Sequence, residues 1–164
     1  MIIQQTWIEA AQSVHKALYP RGPFASVTIA QFGDESAWGA DASGVNNFFG
    51  IKATPAQIKS GQARLRMTSE YLNGRYVRLP QYFANYDSMA DGFMAHGQLL
   101  CQPWYAACMA ATTVEEYCQA LLKDRYATEP DYPTILMNII NSFNLKQYDL
   151  PPPAPALVAV AIEH

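Results

Sequence analysis

The sequence predicts an α+β fold that is predominantly helical, with one small β-hairpin lobe inserted between its helices. Apolar residues recur at helical spacing along most of the 164 residues, and the period changes to two only around the Asn73-Gly74 pair. Half of the residues are hydrophobic and only 15% are charged. A chain of this length and composition can bury its own core as one domain without disulfides or a metal.

The charge and the lengths of the apolar runs exclude two classes of partner. The formal net charge is -3 and no cluster of Lys or Arg stands out, so we expect no nucleic acid partner. No apolar run reaches transmembrane length, so we expect no membrane insertion. The N-terminus has no basic and apolar signal pattern. The expectation is a monomer that is made in the cytoplasm without a signal peptide and is carried to its target.

The first two predicted helices lie near the N-terminus. Residues Thr6 to Leu18 carry apolar side chains at helical spacing, with Pro20 as a stop. A second helix begins after Pro23 and ends near Trp38, where Gly39 provides an end. It is apolar on nearly every side, so we expect it at the centre of the fold. A loop over residues 39–50 and a short helical turn over residues 54–61 follow.

The β-hairpin is predicted from alternation. Leu65 and Met67 share one parity with other apolar residues, whereas Glu70 lies on the opposite, polar parity. Asn73-Gly74 favours a type I′ turn, and Arg75 to Leu79 continues as the second strand. We expect the apolar parity to be packed and the polar parity to face a cleft or water.

Helical spacing returns after the hairpin. Asp87 or Ser88, Thr113 and Asp131 are suitable N-caps. The predicted helices cover residues 89–100, 105–111, 114–123 and 132–143. Residues 150–164 are rich in Pro and then small and apolar, so we interpret them as a linker or loosely attached tail. The folded domain is therefore expected to cover residues 1–149.

Two adjacent carboxylates, Asp34 and Glu35, stand near the end of the apolar second helix. The helix dipole is negative there, and both the dipole and burial raise the pKa of an inward-facing carboxyl. Such a group can hold a proton near neutral pH and deliver it to a leaving oxygen, as a glycosidase requires. Successive helical residues point about 100° apart, so we expect only one of the two to face a site. Solvated surface acids at a fraying helix end are the alternative.

Aromatic residues are numerous near this acid. The chain has 10 tyrosines. Flat rings, together with amide and carboxyl groups, hold sugars, although any single ring can instead belong to the core. The candidate rings are Trp38, Phe48, Phe49, Tyr71, Tyr126 and Tyr132.

Cysteine chemistry is the rival interpretation. Cys101 follows His96 by five residues, which on a helix places the two about 140° apart, so they should not face each other. The chain has three cysteines, an odd number, and we expect reduced, buried thiols. No spacing suggests a zinc or calcium site, and no metal or cofactor is expected.

Four blocks follow one another between Ala25 and Asp149: AQFGDESAWG, NNFFGIKA, TSEYLNGRYVRLPQYFANYDSM and RYATEPDYPTILMNII. In this order they resemble the bacterial N-acetylglucosaminidase family that acts on peptidoglycan and includes autolysins and the flagellar rod-assembly hydrolase. The resemblance implies a lysozyme-like fold in which a helical lobe and a β-hairpin lobe flank a substrate cleft. It also implies cleavage of the β-1,4 bond between N-acetylglucosamine and N-acetylmuramic acid.

The resemblance implies roles for individual residues. Glu35 would be the general acid, Glu70 a second carboxylate, and Tyr126 a neighbour of the reacting sugar. The expected substrate-binding residues are Trp38, Asn47, Phe48, Phe49, Gly50, Tyr71 and Tyr132.

The chain departs from the family pattern at three places. Asp34 stands where Ala or Leu is usual, Glu129 stands where Asp is commoner, and Phe48 replaces a Leu. We expect Asp34 to face away from the site and residues 47–50 to line it.

Two mechanisms remain open. If the carboxyl groups of Glu35 and Glu70 lie about 6.5–9.5 Å apart, Glu70 can activate water for inversion. A wider gap favours nucleophilic help from the 2-acetamido group of the substrate.

Three uses of the domain are considered. The first is an antibacterial effector exported by a type VI secretion machine, with an immunity protein that occludes the cleft. The second is a phage endolysin, which the acidic composition favours less because endolysins for Gram-negative hosts are often basic. Both would act on peptidoglycan strands in the periplasm or cell wall of a target or host cell. The third is a catalytically silent glycan-binding domain, against which the joint presence of Glu35, Glu70 and Tyr126 argues.

Overall fold

The computed structural model describes residues 2–72 and 75–151, without the side chains of residues 69–72. Within these ranges the chain forms mostly helices, with one antiparallel hairpin that follows the third helix. The predicted α+β, predominantly helical fold is confirmed. The elements are α1 (Gln5–Leu18), α2 (Ala25–Ser36), α3 (Pro55–Lys59), β1 (Ala63–Leu72), β2 (Arg75–Ala84), α4 (Met89–Leu100), α5 (Ala106–Ala110), α6 (Val114–Lys123) and α7 (Tyr132–Ser142), with 3-10 turns at Pro103–Tyr105 and Leu145–Tyr148.

Helix α2 lies at the centre of the helical lobe, as predicted. Residues 25–33 are all buried, and the helix packs against α1, α6, α7 and the last 3-10 turn. The ring of Phe32 lies 5.0 Å from Trp7, 5.1 Å from Phe48 and 5.3 Å from Phe93, measured between ring centroids. Aromatic packing therefore fixes the helix that carries Glu35.

The end of α2 is sharper than the sequence predicts. The helix ends at Ser36 rather than near Trp38, because Ala37, Trp38 and Gly39 all have positive φ. The Ser36 hydroxyl donates to the Phe32 carbonyl and accepts the Gly39 amide. This reversal leaves Glu35 in the last turn of the helix.

The faces of the hairpin are the reverse of the prediction. Leu65 and Met67, which lie on the apolar parity, are each 52% exposed. Tyr76, on the same face of the second strand, is 77% exposed. The polar parity contains the half-buried Arg66 and Thr68. The prediction that the apolar parity packs is wrong, because a two-stranded sheet attached at its base does not have a core beneath its outer face.

The base of the hairpin is tied to the segment that precedes α3. The Ala84 amide donates to Ile51, and the Ala53 amide donates to Tyr82. Arg66 adds a second attachment through its guanidinium, which contacts Asp41 and the carbonyl of residue 42. Strand β2 also runs five residues beyond its predicted end. These contacts fix where the hairpin sits beside the helical lobe.

The helix caps follow the sequence with one exception. Ser88 accepts the Asp91 amide, and Thr113 forms a capping box with Glu116. Asp131 precedes α7, but its side chain makes no capping hydrogen bond. The predicted Asn73-Gly74 turn and most of the predicted tail lie outside the described residues. No helix in the described ranges has the length and apolarity needed to cross a membrane.

Candidate active site

A cleft of about 750 Å³ opens at the C-terminal end of α2. Its floor is formed by Asp34 and Glu35. Residues 49–52, which also hold the base of the hairpin, form one wall. The opposite wall is formed by Leu99, Tyr105, Tyr126, Ala127, Thr128, Glu129, Tyr132 and Ile135.

The carboxyl group of Glu35 is held through one of its two oxygens. The hydroxyls of Tyr126 and Tyr132 each donate to Oε1 of Glu35 at 2.8 Å. Among the described residues, no donor reaches Oε2. Because Oε1 already accepts two hydrogens, Oε2 is the oxygen that carries the proton of the neutral acid.

The environment keeps Glu35 protonated to a higher pH than usual. Burial is the main cause, and it raises the pKa of Glu35 from 4.5 to about 7. The hydrogen bonds from Tyr132 and Tyr126 lower this pKa, whereas the nearby charge of Asp34 raises it. The predicted raised pKa of an inward-facing carboxyl at this position therefore has its expected physical cause.

The two tyrosines remain donors across the ordinary pH range. Burial and the neighbouring Glu35 raise the pKa values of both Tyr126 and Tyr132. Their rings stack with centroids 6.2 Å apart. They are distant from Glu35 in the sequence, and the start of α7 with the segment before it brings them to the acid.

Asp34 does not face away from the site. It lines the cleft together with Glu35, so the prediction that only one of the two carboxyls faces the site is wrong. Burial, followed by the charge of Glu129, raises the pKa of Asp34. Asp34 and Glu129, two departures from the family pattern, therefore line the same cleft and are close enough to interact.

Only part of the segment 47–50 lines the cleft. Phe49 and Gly50 do so, whereas Asn47 is buried and ties the segment to its neighbours. Its amide nitrogen donates to the carbonyls of Ile51 and Ala84, and its oxygen accepts the Ile51 amide. Asn47 therefore positions the wall from behind.

Phe48 and Trp38 also lie outside the cleft lining. Phe48 packs in the core against Phe32. The Trp38 ring packs against Trp7 at 5.6 Å and Phe143 at 5.2 Å between centroids. A Cβ on Gly33 would lie 2.6 Å from that ring. These aromatic residues stabilise the turn after α2, and nothing in the described cleft places them against a ligand.

Two predicted site residues have side chains outside the described part of the structure. The backbone of Glu70 pairs with Val77, and that of Tyr71 pairs with Tyr76. By register, position 70 shares its strand face with Arg66.

Several cleft residues were not predicted from the sequence. Ile51 and Lys52 belong to the NNFFGIKA block, so extending the candidate segment 47–50 by two residues would have found them. Leu99 and Tyr105 come from the end of α4 and the following 3-10 turn. No local signal marks this pair, because their place in the cleft depends on how α4 packs.

The geometry does not form a Cys-His pair. His96 is fully buried, and its ring stacks on Phe49 with centroids 3.9 Å apart. Neither ring nitrogen has a hydrogen-bond partner among the described residues, and burial lowers the pKa of His96 to about 3. Cys101 is a free, half-buried thiol, whereas Cys108 and Cys118 are free and buried. The described part of the chain contains no group of three or more His, Cys, Asp or Glu residues placed to hold a metal.

Comparison with known proteins gives the family. A family model described as Glucosaminidase, mannosyl-glycoprotein endo-beta-N-acetylglucosaminidase, matches residues 11–145. An autolysin from Enterococcus faecalis is 35% identical over 139 residues, covering 78% of this chain and 18% of that protein. A probable N-acetylmuramidase from Lactococcus lactis subsp. cremoris is 33% identical over 156 residues, covering 88% of this chain and 35% of that protein. This chain therefore spans well under two thirds of the length of either relative.

A solved structure agrees with this result. The catalytic domain of an autolysin from Listeria monocytogenes superposes with a TM-score of 0.73 at 29% identity, covering 88% of this chain and 86% of that one. The lysozyme-like fold expected from the resemblance is thereby confirmed. The family match extends over α2, the hairpin and the two tyrosines that hold Glu35, and on these grounds the chain belongs to the glucosaminidase family of glycoside hydrolases.

Proposed function

We propose that this chain is an endo-β-N-acetylglucosaminidase that hydrolyses the β-1,4 bond between N-acetylglucosamine and N-acetylmuramic acid in peptidoglycan. The observation that carries the proposal is the carboxyl of Glu35, which lies in the cleft floor with two tyrosine hydroxyls on Oε1. Family membership supports the reaction class, and the name autolysin of two similar proteins supports the bacterial wall as the substrate.

In the first step, Glu35 acts as the general acid. Its Oε2 delivers a proton to the glycosidic oxygen as the bond to the anomeric carbon breaks, and the bonding electrons leave with that oxygen. The carboxylate that remains is stabilised by the hydroxyls of Tyr126 and Tyr132. A pKa of about 7 leaves the acid protonated in weakly acidic conditions.

The group that attacks the anomeric carbon is one of two. Glu70 can remove a proton from water, which then attacks with inversion, or the 2-acetamido oxygen of the substrate can attack first. Glu70→Gln separates these routes: a loss of about 100-fold or more in kcat supports the Glu70 base, and a near-normal rate supports the acetamido route. Tyr71, the next residue of β1, is also proposed as a sugar contact.

Sugar contacts are proposed for the cleft-lining residues. Phe49, Gly50 and Tyr132 lie in the two walls, and Tyr126 lies beside the acid where the reacting sugar would sit. For Asn47, Phe48 and Trp38 we propose a supporting role, because their contacts are with the protein itself.

The products of digestion test the bond that is cleaved. Purified protein is incubated with peptidoglycan, and the fragments are reduced and analysed by mass spectrometry. New reducing-end N-acetylglucosamine is expected. Reducing-end N-acetylmuramic acid would instead indicate a muramidase, the activity in the name of the Lactococcus relative. No release would indicate a catalytically silent glycan-binding domain.

We propose an antibacterial setting for this activity, as an effector delivered by type VI secretion with an immunity protein that occludes the cleft. The acidic composition supports this setting over a phage endolysin, since the net charge is -3 and the pI is near 5.5. Expression of the chain in the periplasm of a susceptible cell should cause lysis, and the product of an adjacent gene should prevent it. If no product of an adjacent gene prevents lysis and an adjacent gene encodes a holin, the endolysin is favoured instead.

A further inference from the structure

Gln31 is a buried polar residue behind the proposed acid, and the proposed function does not assign it a role. It is fully buried in α2 and lies one helical turn before Glu35. Its amide nitrogen Nε2 lies 3.2 Å from the hydroxyl oxygen of Tyr132. The side chain of Gln31 is therefore linked to the carboxyl of Glu35 through the hydroxyl of Tyr132.

The direction of this hydrogen bond determines what Tyr132 does. A tyrosine hydroxyl has a single hydrogen to donate. Because Gln31 donates to the hydroxyl oxygen, the hydrogen of Tyr132 is free to be donated to Oε1 of Glu35 at 2.8 Å. An acceptor in place of Nε2 would draw that hydrogen away from Glu35.

The oxygen of the Gln31 amide indicates that this arrangement serves function rather than stability. Its Oε1 is buried and has no hydrogen-bond partner among the described residues. A buried acceptor without a partner destabilises a fold. An apolar side chain of the same length would avoid this cost, so stability alone does not account for a glutamine here.

We propose that Gln31 is a positioning residue for catalysis: it donates to Tyr132, directs the Tyr132 hydrogen onto Oε1 of Glu35, and so keeps the acidic proton on Oε2, toward the substrate. The inference rests on the proposed general-acid role of Glu35. Without Gln31, Tyr132 can turn and accept a hydrogen from Oε1, which withholds the proton from the leaving oxygen.

The test compares Gln31→Met with Tyr132→Phe and with the double variant. Met keeps the length of the side chain and removes both polar groups. The ionisation of Glu35 is followed by 13C NMR of labelled glutamate, which needs no substrate, and kcat and KM are measured on peptidoglycan. Gln31→Met should shift the Glu35 titration to higher pH, reduce kcat about three- to tenfold and leave KM within about twofold. Its Tm should equal or exceed that of the unmodified protein.

The double variant gives the decisive comparison. Gln31 acts through Tyr132 in this proposal, so Gln31→Met should add no further loss to Tyr132→Phe. The proposal would be overturned if the two substitutions reduced kcat multiplicatively in the double variant. An unchanged Glu35 titration in Gln31→Met, or a failure of that variant to fold, would also overturn it. The matched control is Thr28→Val, a buried residue of α2 whose hydroxyl donates only to the Phe24 carbonyl and which should leave the titration unchanged. If the unmodified protein releases no fragments, the general-acid proposal fails separately, and the titration still reports on Gln31.

Discussion

At the residue scale, the two oxygens of the Glu35 carboxyl have different surroundings. Oε1 accepts two phenolic hydrogens, and Oε2 receives none from the described residues. The position of this acid was predicted from the end of an apolar helix, since burial and the dipole depend on local sequence. The donors were not predicted to contact it, because Tyr126 and Tyr132 reach Glu35 only in the folded chain.

Replacing Glu35 by Gln should abolish cleavage and should alter stability in a pH-dependent way. Between 4.5 and about 7, which are the ordinary and folded-state pKa values of Glu35, the folded protein holds a proton that the unfolded chain has lost. The contribution of this bound proton to the free energy of unfolding is fully present below pH 4.5. It is lost as the pH rises through 7, so the free energy of unfolding falls by up to about 3 kcal/mol. Gln cannot ionise, so the Glu35→Gln variant does not lose this contribution. Its free energy of unfolding relative to that of the unmodified protein should therefore rise by about the same amount between pH 4 and pH 8.

Urea unfolding at both pH values measures this gain. A stability difference that stays constant with pH would contradict the raised pKa of Glu35. Cleavage by the unmodified protein should decline above about pH 7, the pKa of the acid. Full activity of Glu35→Gln would remove the acid assignment altogether.

Two further substitutions should move the alkaline limb of the pH–rate profile in opposite directions. The charge of Asp34 raises the pKa of Glu35, so Asp34→Asn should shift the limb to lower pH. The hydroxyl of Tyr126 lowers that pKa, so Tyr126→Phe should shift the limb to higher pH and reduce kcat about tenfold or more. Each shift should be about one pH unit or less. Glu9→Gln, an exposed carboxylate of α1, is the control, and shifts of the same sign in both variants would refute this electrostatic account.

At the element scale, the hairpin is a separate lobe attached at few points. Its base is bonded to residues 51–53, and Arg66 bridges to Asp41 and the carbonyl of residue 42. The existence of the two strands follows from the period-two pattern. Which face is turned inward does not, because alternation identifies two faces but not the one that lies against the rest of the protein.

Arg66→Ala should loosen the hairpin without unfolding the domain. An exposed ion pair contributes about 0–1 kcal/mol, so the Tm should change little. The proposed second carboxylate, Glu70, lies on the same strand, so kcat on peptidoglycan should fall several-fold. Arg64→Ala, an exposed arginine two positions away, is the matched control. Equal losses in both variants would indicate a general effect of charge on binding to the wall rather than positioning of the hairpin.

At the scale of the whole molecule, the end of the described chain closes onto the start of α2. The carboxylate of Asp149 accepts the amide of Ser26 at 2.8 Å and its hydroxyl at 2.7 Å. Phe24, the N-cap of this helix, provides no side-chain cap. A residue more than 120 positions away therefore caps the helix that ends at Glu35.

Asp149→Ala should lower the free energy of unfolding by about 1–2 kcal/mol, since it removes a helix cap and leaves a buried hydroxyl unpaired. Asp131→Ala is the matched control, because Asp131 precedes α7 without a capping bond and should cost little. Denaturant unfolding measures both variants. A loss no larger than that of the control would show that Asp149 does not stabilise α2.

The domain boundary at residue 149 remains a prediction and has a direct test. A chain that ends at residue 151 should keep the Tm and the peptidoglycan activity of the full chain, because Asp149 and its contacts are retained. A chain that ends at residue 148 should lose stability in the same way as Asp149→Ala. Loss of activity in the longer truncation would show that residues 152–164 contribute to function.

The sequence by itself determined the order of the elements, the central burial of α2, and Glu35 as the candidate acid. Each of these depends on local periodicity, on a cap or stop signal, or on a contiguous block of residues. Only the tertiary structure decided that Asp34 and Glu129 line the same cleft, that Asn47 supports the cleft from behind, and that Gln31 is hydrogen-bonded to Glu35 through Tyr132. These relations depend on where distant segments pack against α2. The hydrophobic periodicity of a single segment does not specify that packing.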